Sequence, residues 1–79
     1  MAYTKEYLEA EKTKYSDELE EANRMMKNMK TDGVPELSEE GFERVFATIR
    51  IGTKLENAIR GLRALEYWER IERKEKEKE

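Results

Sequence analysis

The chain has 79 residues, of which 44% are charged and 37% hydrophobic, and its formal net charge is −3. This length allows one small domain with a thin core, and the absence of cysteine excludes disulfides and thiolate metal sites. The acidic balance argues against a broad nucleic-acid footprint, and no apolar run approaches the ~18 residues of a membrane span.

The first predicted element is a helix over about residues 4–30. Thr4 is a suitable N-cap because its hydroxyl can accept a hydrogen bond from an unpaired backbone amide. Apolar residues recur at spacings of seven, four, three, four and three, as Leu8, Tyr15, Leu19, Ala22, Met26 and Met29. These spacings place them on one face of the helix. This stripe predicts the side that packs against the rest of the chain.

A turn over residues 31–37 is expected to end this helix. Gly33 can adopt the left-handed conformation that ends helices, and Pro35 cannot continue a helix. Ser38 is then a suitable N-cap for a second helix with acidic residues in its first turn. Two long helices joined by a short turn predict an all-α, antiparallel helical hairpin.

The second predicted helix, over about residues 38–74, carries two apolar faces. One face is formed by Phe42, Val45, Phe46 and Ile49. The other, at spacings of four, three, four and three, is formed by Ile51, Leu55, Ala58, Leu62 and Leu65. On a straight helix the two faces lie roughly 160° apart, given a step of about 100° per residue. Only one of them can therefore pack against the first helix.

Gly52 lies where the pattern changes faces, and it leaves two alternatives open. In the first, the helix kinks or breaks at Gly52, and Thr53 with Glu56 forms a capping box for a third helix. In the second, one straight helix crosses Gly52 at a cost of about 1 kcal/mol, and its spare face meets another subunit. We favour the second and expect assembly into a multi-helix bundle of the coiled-coil type, as a homodimer or a larger oligomer.

Residues 1–73 are expected to form this single hairpin domain, followed by a charged low-complexity tail over residues 74–79. The alternating lysines and glutamates of the tail suit a frayed, solvated helix end. The first six residues are largely polar or charged and contain no apolar run, so they do not resemble a signal peptide, and a cytoplasmic location is expected.

Catalysis has little support in the sequence. Without histidine the commonest general base is missing, and Ser16 and Ser38 have no histidine to activate them. Neither glycine-rich phosphate-binding motif occurs, and most carboxylates lie beside lysine or arginine, as on a solvated helix face. We expect no enzyme activity, no catalytic or metal-binding residues and no cofactor.

Aromatic and aliphatic side chains are the candidate partner-binding residues. They are Phe42, Phe46, Ile49, Tyr67 and Trp68. Tryptophan and tyrosine near arginine are typical interface anchors; the alternative is that Tyr67 and Trp68 close the open end of the hairpin against tyrosines of the first helix. The leading hypothesis is a small interaction protein, a phage-type inhibitor or adaptor, that binds itself and another protein through helix faces.

A second function class remains open, in which the chain binds a nucleotide signal or RNA. Arginine forks and aromatic rings suit phosphates and bases together, although a row of charges is more often a solvated surface. The candidate anion-binding residues are Arg50, Thr53, Lys54, Arg60 and Arg63.

The string Thr-Lys-Leu-Glu-Asn-Ala, residues 53–58, resembles a Thr-Lys-Leu-Glu-Glu-Ala segment of a helical hairpin domain. That domain occurs in small phage proteins that sequester cyclic-nucleotide immune signals. The resemblance implies an oligomer that sequesters a nucleotide, with Thr53 and Lys54 near the ligand. The Ser-Arg-Glu-Lys that precedes the segment in the family is missing here, and Trp68 lies later than the family's tryptophan.

Overall fold

The computed structural model describes residues 3–78, which form two α-helices, α1 over Lys5–Lys27 and α2 over Glu39–Lys78. The two helices pack against each other as a hairpin, so the predicted all-α helical hairpin is confirmed. Neither helix contains a stretch apolar and long enough to cross a membrane. Met1, Ala2 and Glu79, at the outer ends of the predicted domain and tail, lie outside the described residues.

The helices run in opposite directions and differ in length. The Leu8 side chain packs onto Gly61, and the carbonyl oxygen of Met25 accepts a hydrogen bond from Arg44. This register places Lys5, where α1 begins, level with Ala64 on α2. The last part of α2 therefore extends beyond α1 and has no helical neighbour within the described chain.

A single apolar seam holds the hairpin together. On α1 the predicted stripe packs inward, with Leu8 and Ala22 buried. On α2 the packed residues alternate at spacings of three and four, which keeps them on one stripe; they are Gly41, Arg44, Thr48, Ile51, Leu55, Ala58, Leu62 and Leu65. The second predicted face of α2 is thus the packed one, and α2 crosses Gly52 without a break.

α1 ends earlier than predicted, and the residues that follow it form a hydrogen-bonded turn. α1 ends at Lys27 instead of near residue 30. The amide of Val34 donates to the carbonyl of Met29 at 2.8 Å, and the amide of Gly33 donates to that of Lys30 at 3.2 Å. With Gly33 at φ 71°, this is a Schellman motif, and its usual apolar contact buries Met29 and Val34.

At the other end, α2 is longer than predicted. It continues to Lys78 instead of ending near residue 74, so the segment expected to be a frayed tail is helical up to that residue. Glutamate and lysine are strong helix formers, and Glu72 lies four residues before Lys76, the favourable order for an ion pair on a helix. The residues of this segment therefore favour a helix that continues to Lys78.

The turn is packed tightly against the start of α2. Ser38 is the N-cap, since its hydroxyl oxygen accepts from the Gly41 amide at 3.0 Å and its hydroxyl donates to the Pro35 carbonyl at 2.6 Å. A β-carbon on Gly41 would lie 2.5 Å from the Pro35 carbonyl oxygen and 2.8 Å from that of Glu36. Only glycine fits this position without moving the backbone of the turn.

Arg44 joins α1, the turn and α2. Its guanidinium donates to the Met25 carbonyl at 2.5 Å, to Asp32 at 3.0 Å and to Glu40 at 3.1 Å, and its side chain is only 10% exposed. Hydrogen bonding to Asp32 is the main cause that raises the pKa of Arg44. Charge-assisted bonds of this kind are stronger than neutral ones, so Arg44 sets the register at this end of the seam.

Replacing Gly41 by alanine should destabilise the hairpin by about 1–3 kcal/mol, because the added methyl group collides with backbone carbonyls. Gly52→Ala is the matched control. Gly52 has open space around its α-carbon, and alanine in a helix interior is better than glycine by roughly 0.5–1 kcal/mol. The free energy of unfolding, measured with denaturant, should therefore fall for Gly41→Ala and rise for Gly52→Ala. Equal changes for the two variants would contradict the packing of the turn.

Replacing Arg44 by alanine should destabilise the hairpin by about 2–3 kcal/mol, because it removes three charge-assisted hydrogen bonds from a largely covered site. Arg24→Ala is the control, since Arg24 pairs with Glu21 at 2.6 Å but is 63% exposed. Exposed pairs contribute less than about 1 kcal/mol. Similar losses for both variants in chemical unfolding would mean that Arg44 is an ordinary surface residue.

Candidate protein-binding surface

The side of α2 that points away from α1 is called the outer face here. Its end near the turn carries four large apolar side chains, the proximal cluster of Phe42, Val45, Phe46 and Ile49. They are 45%, 37%, 55% and 58% exposed, respectively. The rings of Phe42 and Phe46 stack with their centroids 6.2 Å apart. α1 packs on the opposite stripe of α2, which leaves these side chains about half exposed.

A second group of apolar side chains, the distal cluster of Tyr67 and Trp68, lies where α2 extends beyond α1. The two side chains are 57% and 59% exposed, and their rings meet edge to face at 5.8 Å. Tyr3 and Tyr7 stack on each other at 5.1 Å instead of on these rings. Within residues 3–78 no ring pair joins the two helices, so the aromatic closure considered above does not form.

A polar segment separates the two clusters. Ile49 and Tyr67 are about 27 Å apart along the helix axis, at a rise of 1.5 Å per residue. Between them, Arg60 pairs with Glu56 at 2.6 Å. The Thr53 hydroxyl donates to the Ile49 carbonyl at 3.0 Å, within its own helix. The outer face is therefore apolar at both ends and polar in its middle.

Three tyrosines and one carboxylate line a groove between the helices. Tyr3, Tyr7 and Tyr15 line it with Glu11 and Lys54, and its volume is about 420 Å³. The pKa of the Glu11 carboxyl is lowered, chiefly by the Tyr7 hydroxyl beside it. The same interaction raises the pKa of Tyr7, whereas burial is the main cause that raises the pKa of Tyr15. The carboxylate is thus held in its charged form.

The composition of this groove was missed in the sequence, although a signal was present. Tyr3, Tyr7, Glu11 and Tyr15 follow one another at intervals of four residues, which places them along one side of a helix. Lys54 completes the groove from α2, with its ammonium group 5.6 Å from the centre of the Tyr15 ring.

The five candidate anion-binding residues do not converge on one site. Lys54 lines the tyrosine groove, whereas Arg63 lines a groove on the other side of the hairpin. Arg60 and Thr53 lie on the outer face, where Arg60 is paired with Glu56. Arg50 is exposed on α2. A single phosphate cannot be reached by all of these side chains from one monomer.

Neither a metal-binding cluster in the described residues nor a similar protein provides evidence on the function. In residues 3–78 no group of three or more acidic side chains is arranged to hold a metal ion. Comparisons with protein-family models, with curated proteins and with solved structures find no match.

Proposed function

We propose that this chain is a small interaction protein that binds another protein through the outer face of α2. The observation that carries the proposal is the proximal cluster. Phe42, Phe46 and Ile49 are each about half exposed and lie at positions i, i+4 and i+7. This is the anchor pattern by which a helix enters an apolar groove of another protein. Fully burying one such side chain contributes about 1.5–3 kcal/mol.

The rest of the hairpin serves as a support for this face. α1 and the turn hold α2 helical along the seam, so the anchors are already aligned before a partner arrives. Preorganisation of this kind lowers the ordering cost of binding. The protein would act by occupying a groove on its partner, either as an inhibitor of the phage type or as an adaptor, and without catalysis.

A photoreactive benzoyl-phenylalanine at position 46 should cross-link to a partner protein in extracts of the native host, because this ring is central to the proximal cluster. The same group at position 20 is the control, since Glu20 is exposed on α1. Phe46→Lys should weaken binding to the identified partner at least about tenfold, as expected for an interface anchor, and Glu20→Lys should leave it unchanged.

Mass spectrometry of the adducts separates the outcomes. An adduct with a second protein that forms at position 46 and not at position 20 supports the proposal. Equal labelling at both positions, or adducts that contain only copies of this chain, would contradict the binding of a different protein.

The second candidate function is binding of a nucleotide or RNA. The specific observation in its favour is the tyrosine groove, where Lys54 lies beside aromatic rings that could stack on a base. It ranks second because the candidate arginines, Arg50, Arg60 and Arg63, do not line this groove, and because the net charge of the chain is −3. Strong binding of a nucleic acid requires several arginine or lysine side chains close to its phosphates.

Thermal unfolding at low salt in the presence of RNA and of linear and cyclic nucleotides tests this candidate. Binding to the folded state raises the melting temperature by mass action. The shift should disappear in Lys54→Ala and persist in Arg63→Ala, which lies in the opposite groove. A melting temperature unchanged by every ligand would remove this candidate.

A further inference from the structure

The outer face continues along the whole length of α2. At its far end Ala64, Tyr67 and Ile71 lie in the same sector as the proximal cluster, by the step of about 100° per residue. Ala64 and Tyr67 are exposed and Ile71 is half-buried. Thr53 and Arg60 occupy this sector in the polar middle.

The spacing of these residues is the same from both ends of the face. From the turn, the positions at successive spacings of four, three and four residues are Phe42, Phe46, Ile49 and Thr53. From the far end, the positions at the same spacings are Ile71, Tyr67, Ala64 and Arg60. The midpoint of the pattern falls between Glu56 and Asn57. A face of this kind matches its own copy laid in the reverse direction.

We propose that a second copy of this chain binds along the outer face, antiparallel to the first, about a two-fold axis that passes between Glu56 and Asn57. Two-fold pairing, in which each copy uses the same surface, is the commonest arrangement of homo-oligomers. The inference rests on the proposed function: the second copy covers this face in the free protein, and a partner protein binds the same face in its place.

In this arrangement three side chains of the proximal cluster each meet an apolar side chain of the other copy. The facing pairs are Phe42 with the partner's Ile71, Phe46 with the partner's Tyr67, and Ile49 with the partner's Ala64. Successive residues fall alternately on either side of the line of contact, as the interlocking layers of a coiled coil require. The small Ala64 lies opposite a branched side chain, which allows close approach.

The polar middle selects the antiparallel direction. Arg60 and Glu56 pair at 2.6 Å within one chain and are 70% and 60% exposed. In the antiparallel pair, the partner's Arg60 lies within about one helical turn of Glu56, so each carboxylate lies between two guanidinium groups. In a parallel pair Arg60 would face the partner's Arg60, and like charges brought together are unfavourable.

Within residues 3–78 nothing in the hairpin obstructs this contact. α1 packs on the opposite side of α2, and α2 runs through Gly52 as one helix, so both clusters lie along one line. The paired segment from Phe42 to Ile71 is about 44 Å long at 1.5 Å per residue. The contact would cover large apolar side chains of a hairpin whose own core is thin.

Single engineered cysteines test the register, since the native chain contains no cysteine to interfere. Asn57→Cys lies next to the proposed axis and should cross-link to its own copy with a short bis-maleimide. Arg50→Cys and Ala64→Cys should each fail alone, because like positions are about 20 Å apart along the axis at 1.5 Å per residue. A mixture of these two variants should cross-link, because each meets the other across the interface.

The cross-linking pattern has three readable outcomes. Cross-links from Asn57→Cys and from the mixture alone support the antiparallel register. A cross-link from Arg50→Cys alone would indicate a parallel pair and overturn the proposal. No cross-link in any sample would overturn it as well, and a cysteine on α1 at Glu20 reports the background from random collisions.

Light scattering over a concentration series supplies the independent readout. The parent should have twice the mass of the 9.5 kDa chain. Phe46→Lys should raise the dissociation constant of the dimer at least tenfold, whereas Glu20→Lys should leave it unchanged. A parent that stays monomeric overturns the dimer, while adducts of a different protein at position 46 would still support the proposed function, so the two failures are distinguishable.

Discussion

Two helices share only one seam, and every other feature of this hairpin depends on that limit. The buried apolar residues are Leu8, Ala22, Met29, Val34, Ala58 and Leu62, and none of the described side chains is fully enclosed. A long amphipathic helix with a second apolar face cannot bury that face against the single helix beside it. The exposed rings of the proximal cluster therefore follow from the number of helices and do not reflect poor packing.

Polar contacts at the turn end compensate for the small core. Arg44 occupies a seam position where an apolar residue would be usual, and it bonds to the Met25 carbonyl and to Asp32. Apolar side chains can slide along a helix groove at little cost, whereas these directed bonds form at one register only. Gly41 adds a steric condition, because the turn closes on it without space for a β-carbon.

The hairpin and its seam were predictable because they depend on local periodicity. The spacing of Leu8 and Ala22 indicated the packed face of α1, and the spacing of Ala58 and Leu62 indicated one of the two apolar faces of α2. Gly33 indicated the end of the turn. The inward position of Arg44 was not predictable, since its partners lie up to 19 residues away along the chain. The end of α1 at Lys27 likewise depends on burying Met29 with Val34, a contact that local propensity does not contain.

The candidate surfaces, too, were predictable only in part from the sequence. Exposure of Phe46 and Ile49 follows once the other face of α2 is assigned to the seam, and this assignment needed the structure. The cationic residues on α2 looked like one group along the chain, yet Lys54 and Arg63 line opposite grooves. Residue type alone does not place a side chain around a helix, and a count of charges along a segment overestimates a binding site.

The segment of α2 beyond Ala64 has backbone hydrogen bonds along its length but no neighbouring helix in the hairpin. Its helical order is supported from one end only, and helix ends without tertiary contacts open easily and exchange their amide hydrogens quickly. Any molecule that covers Tyr67 and Trp68 supplies the missing contact. Amide exchange in these last turns would therefore slow in proportion to how much of the outer face is occupied, which makes the end of α2 an internal reporter of binding.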